Sequence, residues 1–433
     1  MHEREPVVLA GLKVPSDPEA ESLFQELVRL AETAGGDVVG VVTSTRPKPH
    51  PATFIGPGKV EELQALVLRT GARLVIFNDE LSPAQVRNLS AVLQCRVIDR
   101  TQLILDIFAQ RARSREGKLQ VELAQLEYLL PRLSSTVEEM SRLGGGIGTR
   151  GPGETQLERD RRRVRRRIAR LRRELAAFEG TRQVQRATRK RNDTPVVALV
   201  GYTNAGKSTL FNRLTGAQVS AQDRLFDTLD PTLRRLRLAP GQEVILADTV
   251  GFLRRLPHRL VAAFHATLEE VVEADLLLHV VDASDPEYPR QMEAVHGVLQ
   301  ELGVSTPQVV VFNKIDRVEP SRFACRVLDA PSVAISALTG QGLDRLLEVI
   351  RDHLADRLVV REFRVPYTEA RVLGWLHEGG RVLDEAYEPD AIRLRVELRR
   401  SLAGRIAALL GGRAEATPVW AGRRNERPGT QES

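Results

Sequence analysis

Cysteine is nearly absent: Cys95 and Cys325 are the two thiols in 433 residues. Two thiols so far apart make neither a disulfide framework nor a metal site, and they suit a reducing compartment. Long apolar runs are missing as well. A membrane helix needs about 18 consecutive apolar residues, whereas the longest aliphatic stretch, Leu276 to Val281, is interrupted by His279. The opening segment, MHEREPVVLAGLK, mixes charges of both signs with a short apolar stretch and does not read as a signal peptide. These absences point to a cytoplasmic protein with no membrane span, expected to be a monomer in solution. Hydrophobic content of 42% is enough for real cores and excludes wholesale disorder. The length implies several domains of about 100–200 residues each.

Acidic residues are scarce in one place. The net charge is +6, from 63 basic and 57 acidic residues, but the excess is concentrated. Between Arg159 and Arg173 stand ten arginines and one acid, Asp160. A solvated helix face is the ordinary explanation of a charge run. This density of one sign favours a polyanionic partner, with nucleic acid or a ribonucleoprotein ahead of a membrane surface.

Along the chain, residues 1–112 alternate β-rich runs (Val7–Val14, Asp37–Thr43, Arg73–Phe77, Cys95–Ile98) with helical patterns (Ala20–Ala34, Lys59–Leu68, Pro83–Leu93). That alternation predicts a small α/β domain. In residues 113–182 the spacing changes. Leu119, Leu123, Leu126, Leu130 and Leu133 recur at steps of 4, 3, 4 and 3, and Leu157, Val164, Ile168, Leu171, Leu175 and Phe178 at 7, 4, 3, 4 and 3. Two heptad seams separated by LGGGIGTRGPG predict a long antiparallel helical hairpin with a glycine-rich tip, each arm about 40 Å long. Pro131 is expected to kink the first arm, and Val184–Pro195 to form a charged, coil-like linker. Residues 195–356 show βα repeats with uninterrupted aliphatic strands, as in a doubly wound sheet. Residues 357–422 read as a small α+β module, two strands each running into a helix, and the tail after Trp420 as disordered.

The chemistry is concentrated in the third domain. VVALVGYTNAGKST sets Gly201, Gly206, Lys207 and Ser208 in the G-x-x-x-x-G-K-[ST] spacing, after a strand and before a helix. Backbone N–H groups of Tyr202, Thr203, Asn204 and Ala205 can then curl around phosphates. Lys207 is expected to bridge the β- and γ-phosphates, and the Ser208 hydroxyl to ligate Mg²⁺. Downstream, Asp248, Thr249, Val250 and Gly251 form D-x-x-G at a strand end, 41 residues after Lys207. Asp248 is expected to hold Mg²⁺ through water, and the Gly251 N–H to sense the γ-phosphate.

Asn313, Lys314, Ile315 and Asp316 follow another aliphatic strand, where ligands of open α/β sheets bind. A carboxylate at Asp316 accepts from guanine N1–H and the exocyclic amine, a donor pair that adenine lacks. Ser336, Ala337 and Leu338 can offer a backbone N–H to guanine O6. Between these motifs lies LFDTLDPTLRR. Its Phe226, Asp227, Thr228, Leu229 and Asp230 are expected to fold over the nucleotide. Thr228 should close the Mg²⁺ shell, with Thr232 as the competing threonine. The catalytic set is then Lys207, Thr228 and Gly251, and the metal set Ser208 and Thr228. Phe252 stands where Ras-type switches keep a water-orienting glutamine, so hydrolysis should be slow until a partner completes the site. Asn204 either ties the loop together or holds a monovalent cation such as K⁺.

Two other glycine patterns carry less. Gly146, Gly148 and Gly151 match G-x-G-x-x-G without a preceding strand, and Ile55–Leu63, IGPGKVEEL, reads as a turn capping a helix rather than a second anion site.

With GYTNAGKSTLFNRL, LFDTLDPT, DTVGF, NKID and SAL in place, the chain resembles the HflX family of translation-factor-related GTPases over about residues 5 to 350. The likeness extends to IGPGKVEEL, the run from Gly144 to Glu158, and the arginine-rich helix. The resemblance implies a GTP/GDP- and Mg²⁺-dependent GTPase that binds the large ribosomal subunit and separates stalled ribosomes, its Gly144–Gly153 tip reaching ribosomal RNA. The alternative is a GTPase acting in RNA modification, or in RNA remodelling with ATP used as well; a GTP-dependent scaffold with negligible turnover is a third.

Overall fold

A computed structural model describes residues 4–14, 19–134, 156–191, 194–217, 225–239, 242–255, 265–319, 331–354 and 358–410. The expected glycine-rich tip and C-terminal tail lie outside these residues.

The first domain is a four-stranded parallel sheet, in the order β2-β1-β3-β4, from β1 (Glu5–Leu12), β2 (Gly36–Ser44), β3 (Leu74–Phe77) and β4 (Arg96–Asp99). Helices α1 (Ala20–Thr33), α2 (Pro57–Thr70) and α3 (Pro83–Leu93) connect the strands. Their ends follow local chemistry. Gly56 and Pro57 open α2, so IGPGK does cap a helix. Ser82 and Gln85 form a reciprocal capping box on α3. A fourth helix, α4 (Arg100–Arg111), begins directly at Asp99, whose carboxylate caps it. Its LILDIF stretch is buried almost all round, which hides the one-sided periodicity that reveals surface helices.

The paired helices are α5 (Arg115–Leu129) and α6 (Gln156–Arg191). Leu119, Val121, Ala124 and Tyr128 are buried on α5, as are Ile168 and Leu171 on α6. Arg167 makes a two-pronged pair with Glu122 at 2.7 Å on each arm, and Arg172 reaches Glu127 at 2.7 Å. Two expectations are corrected. Pro131 ends α5 instead of kinking it, and a 3-10 turn over Arg132–Ser134 follows. Proline lacks the N–H that the next helical bond needs, and its ring crowds the preceding turn. The coil expected over Val184–Pro195 is helical as far as Arg191, so α6 runs 36 residues, about 54 Å. No proline interrupts it, and its lysines and arginines are good helix formers.

The third domain is a six-stranded sheet, β10-β9-β8-β5-β7-β6. Its strands are β5 (Val196–Gly201), β6 (Thr232–Ala239), β7 (Gln242–Asp248), β8 (Leu276–Asp282), β9 (Gln308–Asn313) and β10 (Ser332–Ala334). All neighbours are parallel except β6 on β7. The edge strand β6 was not expected. Its arginine-rich TLRRLRLA is half solvated and lacks the aliphatic signature of the inner strands. Among the described residues, helices α7 (Lys207–Thr215), α8 (His265–Val272), α9 (Tyr288–Glu301) and α10 (Leu343–Leu354) belong to the same domain. The last domain sets α11 (Ala370–Gly379) and α12 (Arg400–Leu409) against an antiparallel sheet, β11 (Leu358–Pro366), β13 (Ala391–Arg399) and β12 (Gly380–Tyr387). Strand β12 is additional to the two expected.

One apolar cluster crosses the first three domains. Leu27, Leu30 and Phe108 belong to it, with Tyr128 of α5 and Phe226, Phe252 and Leu253 of the third domain. Their mutual boundary is therefore packed as an interior.

Candidate functional site

The carboxyl ends of β5, β7 and β9 bring the sequence motifs to one edge of the sheet, where backbone and helix ends converge. The loop after β5 turns through Gly206 at φ +94°, and a Cβ there would lie 2.2 Å from the Asn313 side-chain nitrogen. Glycine is required by both backbone and space. Thr203, Asn204, Gly206, Lys207, Ser208, Phe226, Asp227, Thr228, Thr249 and Gly251 line one cavity, together with Thr209. Thr209 was not singled out from sequence, although it is the next residue of the same helix N-terminus.

Lys207 is buried and donates to the carbonyls of Gly201 and Tyr202 at 3.0 and 2.8 Å. Burial pulls its pKa down to about 8, against the opposing attraction of Asp248. An ammonium so desolvated gains strongly from phosphate oxygens.

Ser208 Oγ, Thr228 Oγ1 and Asp248 Oδ2 form a triangle with sides of 2.8, 2.8 and 2.9 Å. Two oxygens bound at about 2.1 Å to adjacent corners of an octahedral Mg²⁺ shell stand about 3 Å apart, so both hydroxyls fit that ion. Asp248 is fully buried and its Oδ1 has no hydrogen-bond partner among the described residues, which leaves an acceptor for metal-bound water. Burial raises the Asp248 pKa, with Lys207 pulling the other way. Thr232, the competing threonine, starts β6 opposite Asp248 in the antiparallel pair.

Past Gly251, the phosphate loop and the D-x-x-G segment are joined through the backbone. Thr203 N–H donates to the Phe252 carbonyl at 2.9 Å, and Phe252 N–H to the Gly201 carbonyl at 3.1 Å. The Phe252 ring is 1% exposed. Residue 252 thus belongs to the core and cannot swing toward a phosphate. Gly251 packs so closely that a Cβ would meet the Thr203 Cα at 2.8 Å.

At the end of β9, Asn313 ties loops together. Its amide nitrogen donates to the Ala205 carbonyl and its oxygen accepts from Ala337 N–H, each at 2.9 Å. Lys314 takes a left-handed φ of 65° and its Nζ sits 2.6 Å from Asp282. Ile315 and Asp316 follow in a short 3-10 turn with Asp316 exposed. Ser336 and Ala337 are buried, and Leu338 is exposed. Val250 and Leu229 are buried in the core, and the Asp230 carboxylate is bound to Ser114 of the α5 cap rather than lining the cavity.

Sequence reasoning missed a buried polar network behind the phosphate loop. Glu26 of α1 accepts from Arg100 and from the Tyr202 hydroxyl. Arg254 N–H donates to that hydroxyl at 3.0 Å, and its guanidinium reaches Ser22 at 3.0 Å. Arg100 also bonds the Arg254 carbonyl at 3.2 Å and Asn78 at 3.2 Å. The one available signal was Glu26 itself, a charge on the apolar face made by Leu23, Leu27 and Leu30.

Comparisons with known proteins agree along the chain. Residues 21–109 match the model of the GTP-binding GTPase N-terminal region and 111–189 that of the middle region. Residues 196–314 match the 50S ribosome-binding GTPase model and 326–418 the HflX C-terminal domain. GTPase HflX of Caldanaerobacter subterraneus is 50% identical over 90% of this chain and 91% of its own. GTPase HflX of Escherichia coli K12 is 47% identical over 91% and 93%. Among solved structures, a GTP-binding protein from Sulfolobus solfataricus in complex with GDP is 26% identical over 81% of this chain and 99% of that one, with a TM-score of 0.42. A chain that matches four family regions in order, and relatives 47–50% identical over nine-tenths of its length, with the P-loop motif on one sheet edge, belongs to the HflX family of GTPases and hydrolyses GTP.

Proposed function

We propose that this GTPase binds the large ribosomal subunit in its GTP state, through the α5–α6 helices, and separates stalled ribosomes in the cytoplasm. The observation that carries the reading is the cavity lined by the phosphate loop and Thr228, beside a position, Phe252, that is buried in the core. On this reading the loop residues hold the nucleotide, and the group that would orient water is left to a partner. Partner completion of such a site is worth roughly 10³–10⁵ in rate. The arginine-rich face of α6 supports ribosomal RNA as the surface it meets.

In this reading Lys207 draws in the β- and γ-phosphates. Ser208 and Thr228 offer their hydroxyls to Mg²⁺, and Asp248 holds its water. Bound Mg²⁺ would neutralise charge developing on the phosphates. The Gly251 N–H reads the γ-phosphate, Asp316 reads the guanine donor pair, and Ala337 N–H serves guanine O6. Asn204, at φ 62° in the loop, is the residue for a K⁺ ion beside the phosphates.

The test is cosedimentation with purified large subunits in the presence of a non-hydrolysable GTP analogue, GDP or no nucleotide. Turnover of GTP is measured with and without subunits. Binding strongest with the analogue and turnover raised at least a hundredfold are expected. Binding indifferent to nucleotide would remove the gating, and a flat turnover would remove the partner-completed site.

A further inference from the structure

Asp230 lies two residues beyond Thr228, yet its carboxylate leaves the nucleotide cavity and binds the start of α5. Oδ2 accepts from Arg113 N–H at 2.9 Å and Ser114 N–H at 2.7 Å, and Oδ1 from the Ser114 hydroxyl at 2.5 Å. The same Ser114 oxygen caps α5 by accepting from Gly117 N–H at 2.8 Å. A carboxylate at a helix N-terminus is favoured by the unpaired N–H groups and by their aligned dipoles. The fit leaves no slack. A Cβ on Gly117 would stand 2.2 Å from Asp230 Oδ1, with the carboxylate carbon at 3.1 Å. The intervening Leu229 is 2% exposed, and Phe226 stacks edge-on to Phe108 with ring centroids 4.6 Å apart. The short segment carrying the Thr228 hydroxyl is therefore gripped from outside the GTPase domain.

We infer that Ser114 and Asp230 form a latch, with Ser114 a positioning residue for Thr228: closure over GTP seats Asp230 on the α5 N-terminus, and loss of the γ-phosphate releases it. This rests on reading Thr228 as the hydroxyl that closes over the nucleotide. Coupling between two sites is reciprocal. Whatever holds the latched form of α5 also tightens the GTP state, so a partner gripping the paired helices gains leverage on the nucleotide through this contact.

The test is amide hydrogen exchange on the full chain, with Mg²⁺ and either guanosine 5′-(β,γ-imido)triphosphate or GDP. Amides of Arg113, Ser114 and Gly117 should exchange roughly tenfold more slowly with the triphosphate. Asp230→Ala should abolish that difference and weaken the triphosphate roughly tenfold while leaving GDP affinity unchanged. Gly117→Ala should do the same from the helix side, with no substitution in the GTPase domain, and circular dichroism checks that α5 persists. Equal protection in both nucleotide states would overturn the latch, and so would equal weakening of both nucleotides by both variants. Thr228→Ala separates the two readings. If it spares triphosphate affinity, the closing role of Thr228 fails and the latch with it. If it weakens the triphosphate while the amides stay indifferent to nucleotide, the latch alone fails.

Discussion

Asp316 stands exposed in its 3-10 turn while its neighbour Asn313 is buried and spoken for by Ala205 and Ala337. The carboxylate proposed to read the base thus stands on a footing already tied down by Asn313. Replacing Asp316 with Asn removes one acceptor and supplies a donor facing the guanine amine. GTP affinity should fall by about 3 kcal/mol, roughly a hundredfold, and xanthosine triphosphate should gain. Competition binding of the two triphosphates measures this, and an unchanged preference would remove Asp316 from base reading. His279 makes a different case. It lies in the middle of β8 with its imidazole buried, and burial first, then the charges of Lys207 and His296, push its pKa down to about 4. An unfolded histidine titrates near 6.5. The unfolded chain therefore binds more protons between those values. The contribution of neutral His279 is fully present above about pH 6.5 and is lost as pH falls through about 4, on the order of 3 kcal/mol in all. Urea midpoints of wild type and His279→Leu should differ in pH dependence across that window. Parallel curves would contradict it.

The arginines of α6 do not act alike. Arg167 and Arg172 face Glu122 and Glu127 of α5, so part of the charge run holds the two helices together, whereas Arg170 pairs with Glu174 one turn on in α6. Arg163 and Arg165 are exposed and meet no carboxylate among the described residues, and Arg166 and Arg173 bond to carbonyls of their own helix. Replacing Arg163, Arg165, Arg166 and Arg173 with Gln should weaken large-subunit binding and reduce the slope of log affinity against log salt by about three. The same change at Arg167 and Arg172 should instead loosen α5 from α6. A slope left untouched by the first set would make that face merely solvated. Element boundaries were legible where the cause is local: Ser82 with Gln85 starts α3, and Gly56 with Pro57 starts α2. They were not legible at α4, whose all-round burial erases periodicity, nor at β6, whose arginines reflect a solvated edge.

In the molecule as a whole, the polar network of Glu26, Arg100, Tyr202 and Arg254 sits within the apolar cluster that joins the first and third domains. Two buried guanidiniums depend on one carboxylate from α1, with Glu287 adding a contact to Arg254 at 3.4 Å. Glu26→Ala would strand Arg100 and leave Arg254 to Glu287 alone, at about 3–5 kcal/mol. Because the cluster is shared, urea unfolding followed by circular dichroism should change from one concerted transition to two. A single transition of unaltered midpoint would mean that the network contributes nothing to domain coupling.

The sequence by itself determined that this is a GTPase, since the phosphate-loop, D-x-x-G and NKID motifs are short and contiguous and their glycines, lysine and carboxylates are spaced by local rules. It also determined the strand–helix alternation, through the aliphatic runs of buried strands. Only the tertiary structure decided where Phe252 and Asp230 point: one into the core that locks the phosphate loop, the other out of the cavity onto the cap of a helix 116 residues earlier. The physical reason is range. A cap, a turn or a cradle is specified by neighbours in sequence, whereas a carboxylate with two possible destinations is assigned by whichever buried donors the packed domains bring within hydrogen-bond reach.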